Sequence, residues 1–209
     1  MTSLQAIYYL LQSTGMILGP KRLLELVKEI NLVEGLSERE LTNPEGAGFD
    51  LRLGEVYRIS GDAFLGETER KTADIELVAS YDPSVIARSK ATKQSTIPNT
   101  PNTIVIHPGD YFLVTTIEKV NMPLFLTANF KPRTTTFRSG LFLRTGNVAP
   151  GYSGKLTFGL KNEGPITVTI EMGARFVHAQ FEEVLGEGSQ YRGQWQGGRV
   201  AATKKEVQV

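Results

Sequence analysis

Apolar positions recur along this chain with two different periods. In the stretch 20–33, Leu23, Leu26, Val27 and Ile30 follow the i, i+3, i+4, i+7 spacing of one helix face. Pro20 suits the first helical position, where its missing N–H would have no intrahelical partner anyway. Lys21 and Arg22 stand at the unfavourable end of the helix dipole, a small cost for solvated side chains. Residues 3–13 also read as a helix. After "NPEGAG", near Asp50, the period shortens, and β-branched and aromatic runs alternate with glycine and proline. This pattern predicts strands at 56–59, 75–78, 103–106, 111–116, 124–130, 141–144, 156–160, 166–170 and 175–184. The turns "HPGD", "APGYSG", "NEGP" and "EMGA" punctuate them. Many short strands at such spacing predict a mainly β protein, a distorted antiparallel β-barrel or jelly roll with short N-terminal helices beside it.

The expected organisation is helices in 1–34, a barrel in 35–185 and a tail in 186–209. Residues 82–103, opening "DPSVIARSKATKQSTIPNTPN", are polar, basic and proline-containing, as in a mobile surface loop. The tail is rich in glycine, glutamine and charge. Its apolar content is too small for a core, so it is expected to be flexible, or to order on a ligand as a lid. No internal repeat is evident.

Composition narrows the chemistry. A chain of 209 residues can bury a sizeable core without covalent staples. It has no cysteine, which excludes disulfides, a thiolate nucleophile and cysteine metal sites. The formal net charge of +1 gives no global field for nucleic acid. No apolar run approaches the length of a membrane span, and "MTSLQAIYYLLQSTG" lacks a basic n-region and a cleavage site. The expectation is a cytoplasmic protein with neither nucleic acid nor membrane as partner. Two histidines, His107 and His178, cannot build a multi-histidine zinc site, so no protein-held metal is expected. The zinc deaminase pattern, the P-loop lysine motif and the G-x-S-x-G elbow are all absent. His178, within "RFVHAQF", reads as a partly buried core or interface histidine rather than a catalytic one. His107 precedes a turn and is expected to be exposed.

One string carries a different signal. "KPRTTTFRSG", residues 131–140, sets three threonines and a serine around Arg133 and Arg138. A guanidinium fork matches phosphate oxygens bidentately, and hydroxyls with turn N–H groups add donors. The string is therefore a candidate polyphosphate cradle. The same composition also describes an ordinary strand end, since threonines favour strands and arginines favour surfaces.

Its context resembles the dCTP deaminase/dUTPase superfamily. "GFDLRLG" at 48–54 is similar to that family's first motif. "RTTTFRSGL" at 133–141 resembles the deaminase R-S-S-x-x-R-x-G-L, with threonines for serines. "APGYSGKLTFGLKN" at 149–162 resembles the D-P-G-[FYW]-x-G hairpin. "GARFVHAQFEEV" at 173–184 and "QYRGQWQGG" at 190–198 are similar to the family's last strand and terminal segment, and "MILGPKRLLELVKE" at 16–29 to the deaminases' short helix. The interval between Arg133 and position 149 is nearer to the compact archaeal dUTPase-like branch. The resemblance implies a homotrimer with sites at subunit interfaces and a deoxypyrimidine nucleoside triphosphate ligand carrying Mg²⁺. It implies that Arg133, Thr134 and Thr135 hold phosphates, that Gln194 closes over them, that Tyr152 lies against the deoxyribose and that Arg138 sits by the reacting pyrimidine carbon.

Two departures bear on the reaction. The dUTPase-type aspartate falls on Ala149 and the deaminase general-base glutamate on Gly159. Neither replacement can take a proton from water. The remaining candidates for a base are Asp50, Glu163, Glu171 and His178. A carboxylate restored at position 159 is expected to create or raise dCTP deamination. Three functions stay open: a dCTP-deaminating or dUTP-hydrolysing enzyme, a non-catalytic nucleotide-binding sensor or regulator, and a structural trimer reusing the fold.

Overall fold

The structure is a computed structural model that describes residues 16–84, 102–186 and 188–208. The helix expected at 3–13 and most of the loop expected at 82–103 lie outside the described residues.

Helix α1 (Pro20–Ile30) has its proline in the first turn and buries Leu23 and Leu26. It ends before 33 because Asn31 adopts φ 52°, a left-handed cap whose N–H bonds to the Leu26 carbonyl. Strand β1 (Val33–Glu34) and a short helix α2 (Glu38–Thr42) follow, the latter capped by Ser37, which accepts from the Glu40 N–H.

The barrel is built from β2 (Phe49–Ser60), β5 (Asp74–Ser80), β7 (Tyr111–Asn121), β8 (Leu126–Pro132), β9 (Leu141–Arg144), β10 (Ser153–Asn162) and β12 (Arg175–Glu183). The order is β8-β12-β2-β7-β10-β9, with β1 on β7 and β5 on β2, and all these pairs are antiparallel. The first strand of the path, β8, is bridged at Ala128 to Val148 in the segment that follows the last, β9, so the sheet is a nearly closed barrel. A small sheet of β3 (Phe64–Leu65), β4 (Glu69–Lys71) and the tail strand β13 (Glu206–Val207) flanks it, and β6 (Thr103–Ile106) pairs with β11 (Val168–Glu171).

Alternation explains which side chains enter. On β7, Phe112, Val114, Thr116, Glu118 and Val120 are buried in turn. On β10, Leu156, Phe158, Leu160 and Asn162 do the same. Phe158 meets Phe130 and Phe176 edge-on at centroid distances of 5.1 and 5.5 Å. Inward Glu118 is fully buried and accepts from the Arg52 Nε at 2.7 Å and the Arg52 backbone N–H at 2.8 Å. Burial nevertheless raises its carboxyl above the usual range, against the pull of Arg52. Asn162 holds the turn after β10: its amide donates to the Ile106 and Ile166 carbonyls and its oxygen accepts from Gly164.

Two expectations differ from what is observed. Residues 134–138 form a helical turn, α3 (Thr134–Arg138), rather than a strand end. Thr136 turns inward and donates its hydroxyl to the Phe176 carbonyl, and the Arg133 N–H bonds to the same carbonyl, which ties the turn to β12. The tail, expected to be flexible or to order on a ligand, lies against the barrel. Ala202 is buried and exchanges two hydrogen bonds with Thr72, and the Gly197 N–H reaches the Ser153 carbonyl at 2.7 Å. Tyr191 stacks edge-on against Tyr152 at 5.4 Å.

Candidate functional site

A cavity of about 670 Å³ opens where β7 and β10 meet the 145–152 turn. Ala149, Tyr152, Tyr111 and Phe158 line it from the barrel, and Tyr191, Trp195 and Arg199 line it from the tail. Its wall is mainly apolar and aromatic. No aspartate, glutamate or histidine is among its lining residues. The volume is in the range of small-molecule pockets, about 300–1,000 Å³.

Tyr152 is buried, and its hydroxyl donates to the Lys155 carbonyl at 2.7 Å, so the ring rather than the hydroxyl faces the cavity. Burial, with the nearby Tyr191, pushes its phenol up to about 12. The space beside Gly159 is filled by the Tyr111 phenol. A Cβ built on Gly159 would overlap the Tyr111 hydroxyl and lie 2.9 Å from its Cζ. A carboxylate placed at position 159 would therefore meet a neighbouring ring that already occupies that volume.

The phosphate-cradle candidates lie together on and beside α3. Thr134, Thr135 and Arg138 are exposed, and their side chains make no hydrogen bond or ion pair among the described residues. Arg133 is different. Its Nε stands 2.8 Å from the Asp50 Oδ2, while its terminal nitrogens have no partner among the described residues. Asp50, almost fully buried on β2, also accepts from Arg175 at 3.0 Å and from the His178 Nδ1 at 2.9 Å. Glu40 of α2, fully buried, accepts from the Asp50 backbone N–H at 3.0 Å and stands 3.8 Å from Arg175. Burial alone would raise the Asp50 carboxyl. The His178 hydrogen bond and the Arg133, His178 and Arg175 charges outweigh it and hold the group below the ordinary aspartate value. Gly48 permits this arrangement. At φ 155° it passes so close to β12 that a Cβ would overlap the Ala179 carbonyl oxygen and crowd the His178 ring.

The predicted residues thus fall into separate groups. Ala149 and Tyr152 share the cavity, whereas Arg133, Thr134, Thr135 and Arg138 are not among its lining residues. Gln194 donates its amide to the Val207 carbonyl, which engages it with β13. None of the four candidate bases lines the cavity. Asp50 and His178 pair with each other, Glu163 faces Arg144 and Lys161 at 3.7 Å, and Glu171 accepts from Asn102 at 3.2 Å. His178 is partly buried and satisfied, and His107 is exposed, both as expected. Sequence reasoning missed Tyr111, Tyr191, Trp195 and Glu40. The legible signal for Tyr111 was a glycine in mid-strand at 159, a mark of close approach by another group.

Barrel, hairpin and motif order define a class. The chain belongs to the dCTP deaminase-like family, whose model matches residues 17–184. It is 29% identical over 181 residues to a dCTP deaminase of Pyrococcus furiosus, covering 86% of this chain and 93% of that one. It is 31% identical to a dCTP deaminase of Thermococcus kodakarensis, covering 85% and 92%. A dUMP-forming dCTP deaminase of Nanoarchaeum equitans is 28% identical, with 74% and 78% covered. Among solved structures, the 2′-deoxycytidine 5′-triphosphate deaminase of Agrobacterium tumefaciens shares the fold with a TM-score of 0.59 at 16% identity. That match covers 82% of this chain and 49% of the other, so the chain spans about half that protein's length.

Proposed function

We propose that the protein binds a deoxypyrimidine nucleoside triphosphate, dCTP or dUTP, and acts in the metabolism of that nucleotide class. The observation that carries this reading is the aromatic cavity at the 145–152 turn, together with an exposed and unpaired set of donors at α3. In this reading the nucleoside enters the cavity, with its sugar against the Tyr152 ring. Arg133, oriented by Asp50, and Thr134 and Thr135 receive the phosphates. Arg138, which the resemblance sets by the reacting pyrimidine carbon, does not line this chain's cavity and is reassigned here to the phosphates beside them. Because the two groups are separate within one chain, a homotrimer would let the α3 of one subunit face the cavity of another.

Mg²⁺ belongs to the substrate here. Among the described residues no group of three or more acidic or histidine side chains is gathered to hold a metal. Magnesium keeps several waters and commonly binds through substrate phosphates.

The reaction assigned on family grounds is deamination of dCTP, hydrolysis of dUTP to dUMP and pyrophosphate, or both. A second reading, a nucleotide-binding sensor or regulator without turnover, is favoured by one specific observation: among the described residues no lining side chain is a carboxylate or imidazole. A positioned general base contributes about 10²–10⁴-fold, while preorganised donors can supply a larger share. Slow turnover is therefore compatible with this wall. Incubation with dCTP and with dUTP, each with Mg²⁺, followed by chromatography of the products, separates the readings. Uracil nucleotide from dCTP or pyrophosphate from dUTP supports the enzyme. Saturable binding without product supports the regulator. Absence of binding contradicts both.

A further inference from the structure

Three tyrosines line the cavity, and they are not equivalent. The Tyr152 hydroxyl donates to the Lys155 carbonyl, and the Tyr191 hydroxyl accepts from the Trp195 N–H at 3.3 Å. The Tyr111 hydroxyl has no hydrogen-bond partner among the described residues, and the residue is 36% exposed. Tyr111 begins β7 opposite Lys161, yet its ring leans along β10 to lie over Gly159, two residues away on the same strand. A Cβ at position 159 would displace the phenol from that place. A glycine inside a strand costs about 0.5–1 kcal/mol relative to alanine, and among the described residues the closest group over this one is the phenol. Gly159 and Tyr111 therefore form a pair that delivers an unsatisfied donor–acceptor into a mainly apolar chamber, whose other polar lining residues include Lys71, Asn147 and Arg199. Small-molecule pockets use a few such groups to orient the ligand.

We propose that Tyr111 is the specificity-determining residue of this cavity, its neutral phenol hydroxyl hydrogen-bonding the polar edge of the heteroaromatic base, with Gly159 present to admit its ring. This rests on the reading of the cavity as the nucleoside pocket. It extends that reading by assigning recognition of the base to a neutral hydroxyl, which can both donate and accept.

The test is calorimetric titration of the full chain with dCTP and dUTP, each with Mg²⁺, for the wild type, Tyr111→Phe, Tyr111→Ala, Gly159→Ala and the Tyr111→Ala/Gly159→Ala pair. Tyr111→Phe keeps the ring and removes a hydroxyl without a partner among the described residues, so its free Tm should stay at the wild-type value. Its Kd should rise about 2- to 10-fold for the preferred nucleotide, as for one neutral hydrogen bond. Gly159→Ala should weaken binding at least as much by displacing the phenol, but should cost nothing further once Tyr111 is alanine, because it acts through that residue. If the wild type binds and Tyr111→Phe binds equally well, the assignment of Tyr111 is overturned while the pocket stands. If Gly159→Ala weakens binding equally with and without Tyr111, the matched pair is overturned. If the wild type binds neither nucleotide, the pocket reading fails, and this inference with it.

Discussion

Replacing Asp50 with alanine tests how the cradle arginine is held. The side chain is 6% exposed and faces Arg133 at 2.8 Å, Arg175 at 3.0 Å and His178 at 2.9 Å. Its removal leaves two guanidinium groups and an imidazole around a hole lined by β2, β8 and β12. Breaking a buried ion pair by deleting one partner costs about 3–5 kcal/mol. Here Arg133 and Arg175 are 27% and 28% exposed, so water reaches them, and Glu40 remains 3.8 Å from Arg175. The lower end, about 3 kcal/mol, is expected, a fall in Tm of about 6–12 °C for a chain of this size. Acid dependence gives a second signature. The Asp50 carboxyl is held below its ordinary value in the fold, so it adds stability that is fully present above the unfolded value of about 3.9 and is lost as pH falls through the folded value. Asp50→Ala should therefore flatten the acid limb of the stability–pH curve. Urea unfolding followed by circular dichroism at neutral pH and at stepped acid pH measures both effects. A loss under about 1 kcal/mol would mean an ordinary surface ion pair, and an unchanged acid limb would refute the role assigned to this carboxylate.

Other outcomes follow from the same geometry. Glu118→Ala should cost about 3–5 kcal/mol in urea unfolding, because it strands Arg52 in the barrel wall; near-wild-type stability would contradict this. Arg138→Ala should leave the free Tm unchanged, since the side chain is exposed and has no partner among the described residues, yet weaken triphosphate binding by about 10-fold or more, the loss of a hydrogen bond to a charged group. Gly159→Glu should lower stability by about 1–3 kcal/mol through overpacking against Tyr111 and give no new dCTP deamination. The Tyr111→Ala/Gly159→Glu double variant makes room for the carboxylate, and uracil nucleotide formation from dCTP should be higher in it than in the single variant.

Much of the barrel was legible because its strands are bounded by turn chemistry. Strands β6 and β9 lie at the expected residues, one ending before "HPGD" and the other beginning after Gly140. Strand β2 begins seven residues before the predicted start at 56, because Asp50, Arg52 and Glu55 interrupt the apolar pattern. Those charges are paired within the fold with Arg133, Glu118 and Lys155, and pairing across long sequence separations is invisible to periodicity. The threonines of α3 favour extended chain, and the tether of Thr136 to Phe176 overrides that preference. The tail has the composition of a flexible segment, but Tyr191 and Trp195 dock on Tyr152 and under Arg70, the latter at 5.0 Å. At the candidate site the grouping of Arg133, Thr134, Thr135 and Arg138 on and beside α3 could be read from residue order. Tyr111 could not, because only the packed strands reveal which side chain fills the space beside Gly159.

In the proposed reading, this fold holds a deoxypyrimidine nucleoside triphosphate through its cavity and the α3 donors. Thermal unfolding of the wild type and Arg138→Ala, with and without millimolar dCTP or dUTP plus Mg²⁺, tests it most directly. A ligand at 100 times its Kd stabilises by about 2.7 kcal/mol. The account predicts a rise in Tm of several degrees for the wild type that is lost or much reduced in Arg138→Ala. No rise with either nucleotide, or an equal rise in both proteins, would contradict it.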